Sequence, residues 1–243
     1  MKYSKNCCLL LALILSLNGF SQDVSKGMEM LELVKISETY RLARDMSFDM
    51  HYTYADSARP KTILEEMYGK YKIHNRKYWS MIDSIELVQG NQYSLGIYYN
   101  DSLIMVNRKQ DYSNVMQVPM MDSLFREAHV SDIRVNQLND STRTLKIRFN
   151  DQSPYRAYEM QYDLNNFLIR KLKYYITATT DDEKSITSGV ECIAISFSNY
   201  SDEVVSDDYF NETKFIDLRG DQLVTQPAFA GFKLIAPANN QVQ

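Results

Sequence analysis

The sequence predicts a mainly β (α+β) protein: a curved antiparallel sheet, an incomplete β-barrel, with an N-terminal helix and a second short helix covering its concave face. Three observations carry this. Long stretches alternate between large apolar and polar residues with the period of two that a half-buried strand requires. The chain holds 18 Tyr and 10 Phe against 8 Gly and 5 Pro in 243 residues, a balance that suits strands better than a helical bundle. Two segments interrupt the alternation with helical spacing. Hydrophobic residues make up 44% and charged residues 24%, ordinary for a folded chain and unlike a disordered one.

The first element is not structural. Lys2 and Lys5 precede a nearly unbroken apolar run, Cys7 to Leu17, and then Gly19-Phe20-Ser21 places small residues at the −3 and −1 positions of a cleavage site. The run is short for a membrane span and is flanked like a secretory signal. Residues 1–21 therefore read as a signal peptide, cut between Ser21 and Gln22. Residues 22–243 read as one exported, soluble domain. Cleavage removes two lysines from a chain whose net charge is already −4. It also removes Cys7 and Cys8, so Cys192 is left alone and no internal disulfide can form. In the strand-like run 190–195, Cys192 reads as a buried small hydrophobe, not a nucleophile.

Met28 to Arg44 reads as the first helix, with Leu31, Val34, Glu38 and Leu42 at helical spacings and no Pro or Gly after Gly27. The period then changes. Met46, Phe48, Met50, Tyr52 and Tyr54 alternate with Ser47, Asp49, His51, Thr53 and Ala55, one half-buried strand. Further strands are expected near 62–73, 77–88, 92–99 and 103–108, with turns at Gly90-Asn91 and Asn100-Asp101. A second helix is expected over about 120–129. Strands resume near 131–138, 142–149, 155–163, 166–177 and 190–198, with turns at Asn139-Asp140 and Asn165-Asn166. In 142–149, Leu145, Ile147 and Phe149 share one face. An acidic loop, 180–188, and two short apolar pieces, 213–218 and 229–236, complete the chain.

Chemical motifs are scarce. There is no nucleophile elbow, phosphate loop or His-Glu-x-x-His, and His51, His74 and His129 are scattered. Neither a metal nor a cofactor is expected. The carboxylate pairs Glu65-Glu66, Asp181-Asp182 and Asp207-Asp208 read as solvated turns, and an acidic chain is a poor nucleic-acid binder. Arg170-Lys171-Leu172-Lys173 reads as one face of a strand. Asp-Ser recurs at Asp56, Asp83, Asp101, Asp122 and Asp140; it is turn and cap chemistry that also resembles a bacterial O-glycosylation signal. The 12 methionines suit either an adaptable cavity or an irregular core.

The order of elements resembles the outer-membrane lipoprotein carrier (LolA/LolB-like) superfamily. The residues that carry the resemblance are Ser47-Phe48-Asp49-Met50, Met67-Tyr68-Gly69-Lys70-Tyr71-Lys72-Ile73, Ser102-Leu103-Ile104-Met105-Val106, Ile195-Ser196-Phe197-Ser198-Asn199-Tyr200 and the segment Val204 to Phe210. It implies a periplasmic, non-enzymatic half-barrel whose helices line a cavity that shields a lipid or lipoprotein acyl chain. Arg41, Arg44 and Arg59 are the candidates for the family's early cavity arginine. The tail after Phe210 has no counterpart in it. The expected cavity residues are Phe48, Met50, Tyr52, Leu145, Ile147 and Phe149. The alternative is a soluble accessory subunit of an envelope assembly or secretion machine, with a filled interior, a partner at a sheet edge and exposed Tyr98-Tyr99 and Tyr174-Tyr175 as contacts.

Overall fold

The computed structural model describes residues 29–56, 62–109, 130–151, 153, 155–177, 190–220 and 222–236. The signal segment with its Ser21–Gln22 junction, the expected helix over 120–129 and the acidic loop 180–188 lie outside the described residues.

The described chain is mainly strand with one α-helix, α1, over 29–42. Helical spacing alone allows α1 two apolar stripes, and the structure buries the one not read from the sequence. Leu33, Ile36 and Tyr40 are buried, whereas Leu31, Val34 and Leu42 are exposed. The reason lies in what the buried stripe meets: Glu32 beside it pairs with Arg143, and the Tyr40 hydroxyl accepts from the Ile169 N–H at 2.9 Å. The side chains of Leu33, Ile36 and Tyr40 each contribute about 1.5–3 kcal/mol by burial.

The strands follow the alternation closely. In chain order they are β1 (Asp45–Asp56), β2 (Ile63–His74), β3 (Lys77–Ile82), β4 (Ile85–Gln89), β5 (Tyr93–Tyr98), β6 (Leu103–Arg108), β7 (Val130–Asn139), β8 (Thr142–Phe149), β9 (Tyr155–Asp163), β10 (Ile169–Thr177) and β11 (Val190–Ser201). A small hairpin, β12 (Ile216–Arg219) and β13 (Gln222–Thr225), and a last strand, β14 (Lys233–Ile235), close the chain. One open 12-stranded sheet has the order β14-β6-β5-β4-β3-β2-β1-β11-β10-β9-β8-β7. Its neighbours are antiparallel except β14, which runs parallel to β6.

The expected single strand 77–88 is two strands. Asp83 takes a positive φ of 50° and turns the chain at Asp83-Ser84, so β3 and β4 form a hairpin. The same chemistry turns the chain at Ser102 (φ 48°) and at Asp140-Ser141. Asn75 and Arg76, both at positive φ, make the type I′ turn between β2 and β3 without a glycine.

Register defines the two faces. On the inner face, Phe48, Tyr71, Ser80, Leu87, Gly96 and Met105 stand in one row across β1 to β6. A second row runs from Leu145 through Met160, Leu172, Ile195 and Tyr52 to Met67. Helix α1 lies on this face over β7–β11, and the large core there joins Leu33, Ile36 and Tyr40 to Phe48, Leu145, Met160 and Leu172. A smaller core forms on the outer face, where Phe215 and Ile216 meet Val88, Leu95, Ile97, Ile104 and Val106. The tail with no counterpart in the sequence resemblance is thus a cover. Each half of the sheet is covered on the opposite side from the other.

Candidate functional site

The expected cavity residues do share one face. Phe48 and Met50 on β1 and Leu145, Ile147 and Phe149 on β8 are all buried, and Tyr52 is half-buried. The five buried ones, at 0–8% exposure, form one continuous surface with the residues under α1. The accessible part of the inner face lies beside them, over β1 to β6. Tyr52, Tyr71, Ile82, Leu87, Tyr98, Leu103 and Met105 are half-buried there, and Met67 and Ile85 are exposed. Sequence reasoning missed this floor because the undetected turn at Asp83-Ser84 scrambled the face assignment of β4. With the turn in place, Ile82, Ile85 and Tyr98 line up across β3, β4 and β5.

Close approach shapes the floor. A methyl group on Gly69 would stand 2.9 Å from Ile82 and 3.4 Å from Met50, so only glycine lets these side chains meet over β2. Tyr71 stacks on Phe48 at 5.2 Å and on Tyr78 at 6.0 Å, which carries an aromatic band from the covered half into the open half. The surface offers apolar contact and aromatic rings, and phenol groups are its main hydrogen-bond donors.

Phenols under α1 fall into two sets. Tyr40 and Tyr200 are satisfied: their hydroxyls meet at 2.8 Å, and Tyr200 donates to the Ile169 carbonyl at 2.7 Å. Burial pushes the Tyr40 phenol up to about 12 even though Tyr200, Ile169 and Arg170 pull it down. Tyr158, Tyr162 and Tyr174 are all buried on the inner face; the Tyr158 and Tyr174 hydroxyls interact with each other, and the Tyr162 hydroxyl has no hydrogen-bond partner among the described residues. Burial first, then the neighbouring Tyr174, holds the Tyr158 phenol well above its ordinary range. Gln89, fully buried, also leaves both amide ends unpaired.

The outer face carries the charge. The Asp45 carboxylate lies 2.5 Å from the His74 ring and accepts from the Val205 N–H at 3.1 Å, which ties the tail to β1. Burial opposes its ionisation, but the His74 and Val205 hydrogen bonds and the charges of His74 and Arg44 win and hold its pKa below the ordinary carboxylate value. Lys77 pairs with Asp207 at 2.5 Å and Lys214 with Asp208 at 2.6 Å. A cleft of about 670 Å³ between the tail and β3–β5 is lined by Lys77, Asp207 and Asp208 together with Tyr93, Ile216 and Leu223. Glu212 fills its end, accepting from the Asn91 and Gln92 N–H groups at 2.8 Å each.

Other expectations resolve individually. His51 is half-buried: it stacks on Tyr68 and pairs with Glu66 at 3.1 Å. Cys192 is half-buried, not buried, and desolvation raises its pKa, so the thiol stays protonated. Tyr98-Tyr99 and Tyr174-Tyr175 do not form exposed pairs, because alternation sends each member to a different face. Tyr174 is buried inside, and Tyr99 donates to Glu86 on the outer side. Arg41 and Arg44 are exposed, and Arg59 lies outside the described residues. The arginine that reaches α1 is Arg143. Among the described residues no helix is long and apolar enough to cross a membrane, and no group of three His, Cys, Asp or Glu could hold a metal.

No protein-family model matches this chain, and no curated protein matches it. Among solved structures it is similar to a DUF1329 family protein from Desulfovibrio piger, at 10% identity over 77% of this chain and 97% of that one, with a TM-score of 0.39. It is also similar to a LolA superfamily protein from Nitrosomonas europaea, at 11% identity over 76% and 97% of the two chains, with a TM-score of 0.34. Likeness at this level carries no residue-by-residue correspondence.

Proposed function

We propose that the protein is an exported, periplasmic, non-enzymatic carrier that shields a lipid or lipoprotein acyl chain on the inner face of its sheet. The observation that carries this reading is the width of that face. Twelve strands at about 4.8 Å spacing span roughly 53 Å, whereas α1 at 1.5 Å per residue is roughly 21 Å long. Apolar rows continue past the helix onto a half-exposed floor, Met67, Ile82, Ile85, Leu87, Tyr98 and Met105. Exposed apolar surface of this kind calls for an occupant. Each buried methylene contributes about 0.8 kcal/mol, so one ordinary acyl chain grosses ~10 kcal/mol. Phe48, Met50 and Tyr52 then form the wall between the covered and open halves, with Leu145, Ile147 and Phe149 behind it.

Native mass spectrometry and lipid extraction of protein purified from the periplasm test the reading. Lipid is expected at up to one chain or lipoprotein per molecule, and Leu87→Asp, placed on the half-exposed floor, should lose it while staying folded. Wild-type protein free of lipid at every stoichiometry would sink the carrier.

A second reading, an accessory subunit of an envelope machine, draws on β2. Its residues Ile63 to Tyr68 are all exposed, and β3 pairs only with the part of β2 from Gly69 onward. Among the described residues no strand pairs with 63–67 on that side, and Tyr68 accepts there only from the Asp83 N–H at 3.2 Å, so a partner strand could add to this stretch. Hydrogen-exchange protection of 63–68 by an envelope protein, with no lipid bound, would favour it.

A further inference from the structure

We propose that the outer face of β8–β10 carries a binding site for a phosphate group, of a lipid headgroup or of a free phosphate ligand, held by Arg148 and Arg156 with Lys146 and Tyr175. The site lies on the side of the sheet opposite the proposed lipid floor, so it stands or falls independently of the carrier reading. A shallow cleft of about 260 Å³ opens there, lined by Lys146, Arg148, Arg156, Ala157, Glu159 and Tyr175. Sites for drug-sized ligands measure roughly 300–1,000 Å³, so this one suits a small polar group. Alternation puts Lys146 and Arg148 on the outer side, because Leu145, Ile147 and Phe149 are buried inside. Across the ladders Arg148 stands opposite Ala157, and Ala157 opposite Tyr175. The single methyl of Ala157 between two long neighbours makes the depression. Arg156 arrives by a different route. Tyr175 pairs with Ala157 and Ile176 with Tyr155, so Arg156 is the extra residue of a bulge on β9. Bulges re-aim side chains, and this one adds a second guanidinium to the cleft.

Three cations meet one carboxylate in this cleft, in a chain whose net charge is −4. That carboxylate, Glu159, is taken by Lys146 at 2.7 Å. Arg156 reaches Asp151 at 2.7 Å, but the Asp151 side chain is 97% exposed, and a pair so open to water contributes little and gives way to a better acceptor. Among the described residues no carboxylate pairs with Arg148. Lys171 and Lys173, on the same side of β10 as Tyr175, add to the field. Anions are therefore drawn to this patch of an otherwise acidic protein. Guanidinium forks match phosphate oxygens bidentately, and an ammonium adds a point charge. Burial first, then Glu159 and Cys192, raises the Tyr175 pKa, so its phenol stays protonated as a neutral donor. The donors come from three strands, β8, β9 and β10. A tetrahedral oxyanion can meet all three, whereas a planar carboxylate is served by a single guanidinium.

Calorimetric titration of the full exported protein with inorganic phosphate, and co-sedimentation with phosphatidylcholine vesicles containing phosphatidic acid, test the site. Arg148→Gln/Arg156→Gln should weaken binding about tenfold. Lys70→Gln/Lys171→Gln removes the same charge from the same face outside the cleft and should stay within about threefold of wild type. Arg148→Gln alone, at an exposed side chain with no ion pair to lose, keeps the test valid if the double variant misfolds; it should weaken binding by about threefold. Free phosphate bound with this pattern supports the site with a soluble ligand. Vesicles bound with this pattern, and no free phosphate, support it with a headgroup. Equal weakening by the two double variants overturns it in favour of a diffuse charge effect, and so does acetate bound as tightly as phosphate. Wild-type protein that binds neither phosphate nor vesicles also overturns it and leaves the inner-face carrier untouched.

Discussion

Replacing Glu212 by alanine should release the tail from the turn at 90–92. The carboxylate is 8% exposed and accepts two backbone N–H groups, of Asn91 and Gln92, at 2.8 Å. Hydrogen bonds to a charged acceptor contribute about 1.5–3 kcal/mol each. Asn91 and Gln92 are themselves exposed, so water takes the place of the lost acceptor and the combined cost falls to about 2 kcal/mol. Gly90→Ala probes the same joint from below. Its methyl would coincide with the Glu212 carboxylate and stand 2.6 Å from the Phe210 carbonyl, for a cost of about 3–4 kcal/mol by overpacking plus the displaced carboxylate. The two changes share that carboxylate, so the double variant should cost about 2 kcal/mol less than the sum of the singles. Urea unfolding gives the energies, and hydrogen exchange at Asn91 and Gln92 gives the local readout. Strict additivity, with unchanged exchange at those amides, would refute the joint.

Three further outcomes are expected. Val34→Lys should change stability by less than about 0.5 kcal/mol whereas Leu33→Lys should unfold α1 from the sheet, because only Leu33 is buried; circular dichroism melts of the two variants check this. The folded-state pKa of Asp45 is held below its unfolded value of about 3.9, so its contribution is present above that value and is lost as pH falls through the folded pKa. Asp45→Asn should flatten the acid limb of the stability–pH curve, measured by urea midpoints between pH 2 and 6. Gln89→Leu should stabilise by about 1–2 kcal/mol, since it removes a fully buried amide with no partner at similar volume; a fall in thermal stability would contradict this.

Much of the sheet was legible from alternation alone. β1 and β8 carry their large residues on one face as the period of two demands, and the expected cavity residues fall together for that reason. Periodicity failed where it had two answers. In α1, Met30, Leu31, Leu33, Val34, Ile36, Tyr40 and Leu42 encircle much of the helix, and only tertiary partners such as Arg143 and Ile169 select the buried stripe. It failed again at Asp83-Ser84, where a turn without glycine or proline joins two apolar strands into one apparent run. The same dipeptide at Asp101 and Asp140 was the available signal. The floor over β3–β6 could not be assembled without that turn. The meeting of Tyr158 with Tyr174 was beyond the sequence, which shows residue types but not which side chains face each other.

Strand β14 spans only Lys233 to Ile235, yet it occupies the outer flank of β6. Without it, the amides and carbonyls along Leu103 to Met105 would face solvent as an unguarded template for a neighbouring molecule's strand. Loss of these residues would therefore exchange a three-residue border for the six-residue border of β6, a longer and more inviting docking line for a stray strand.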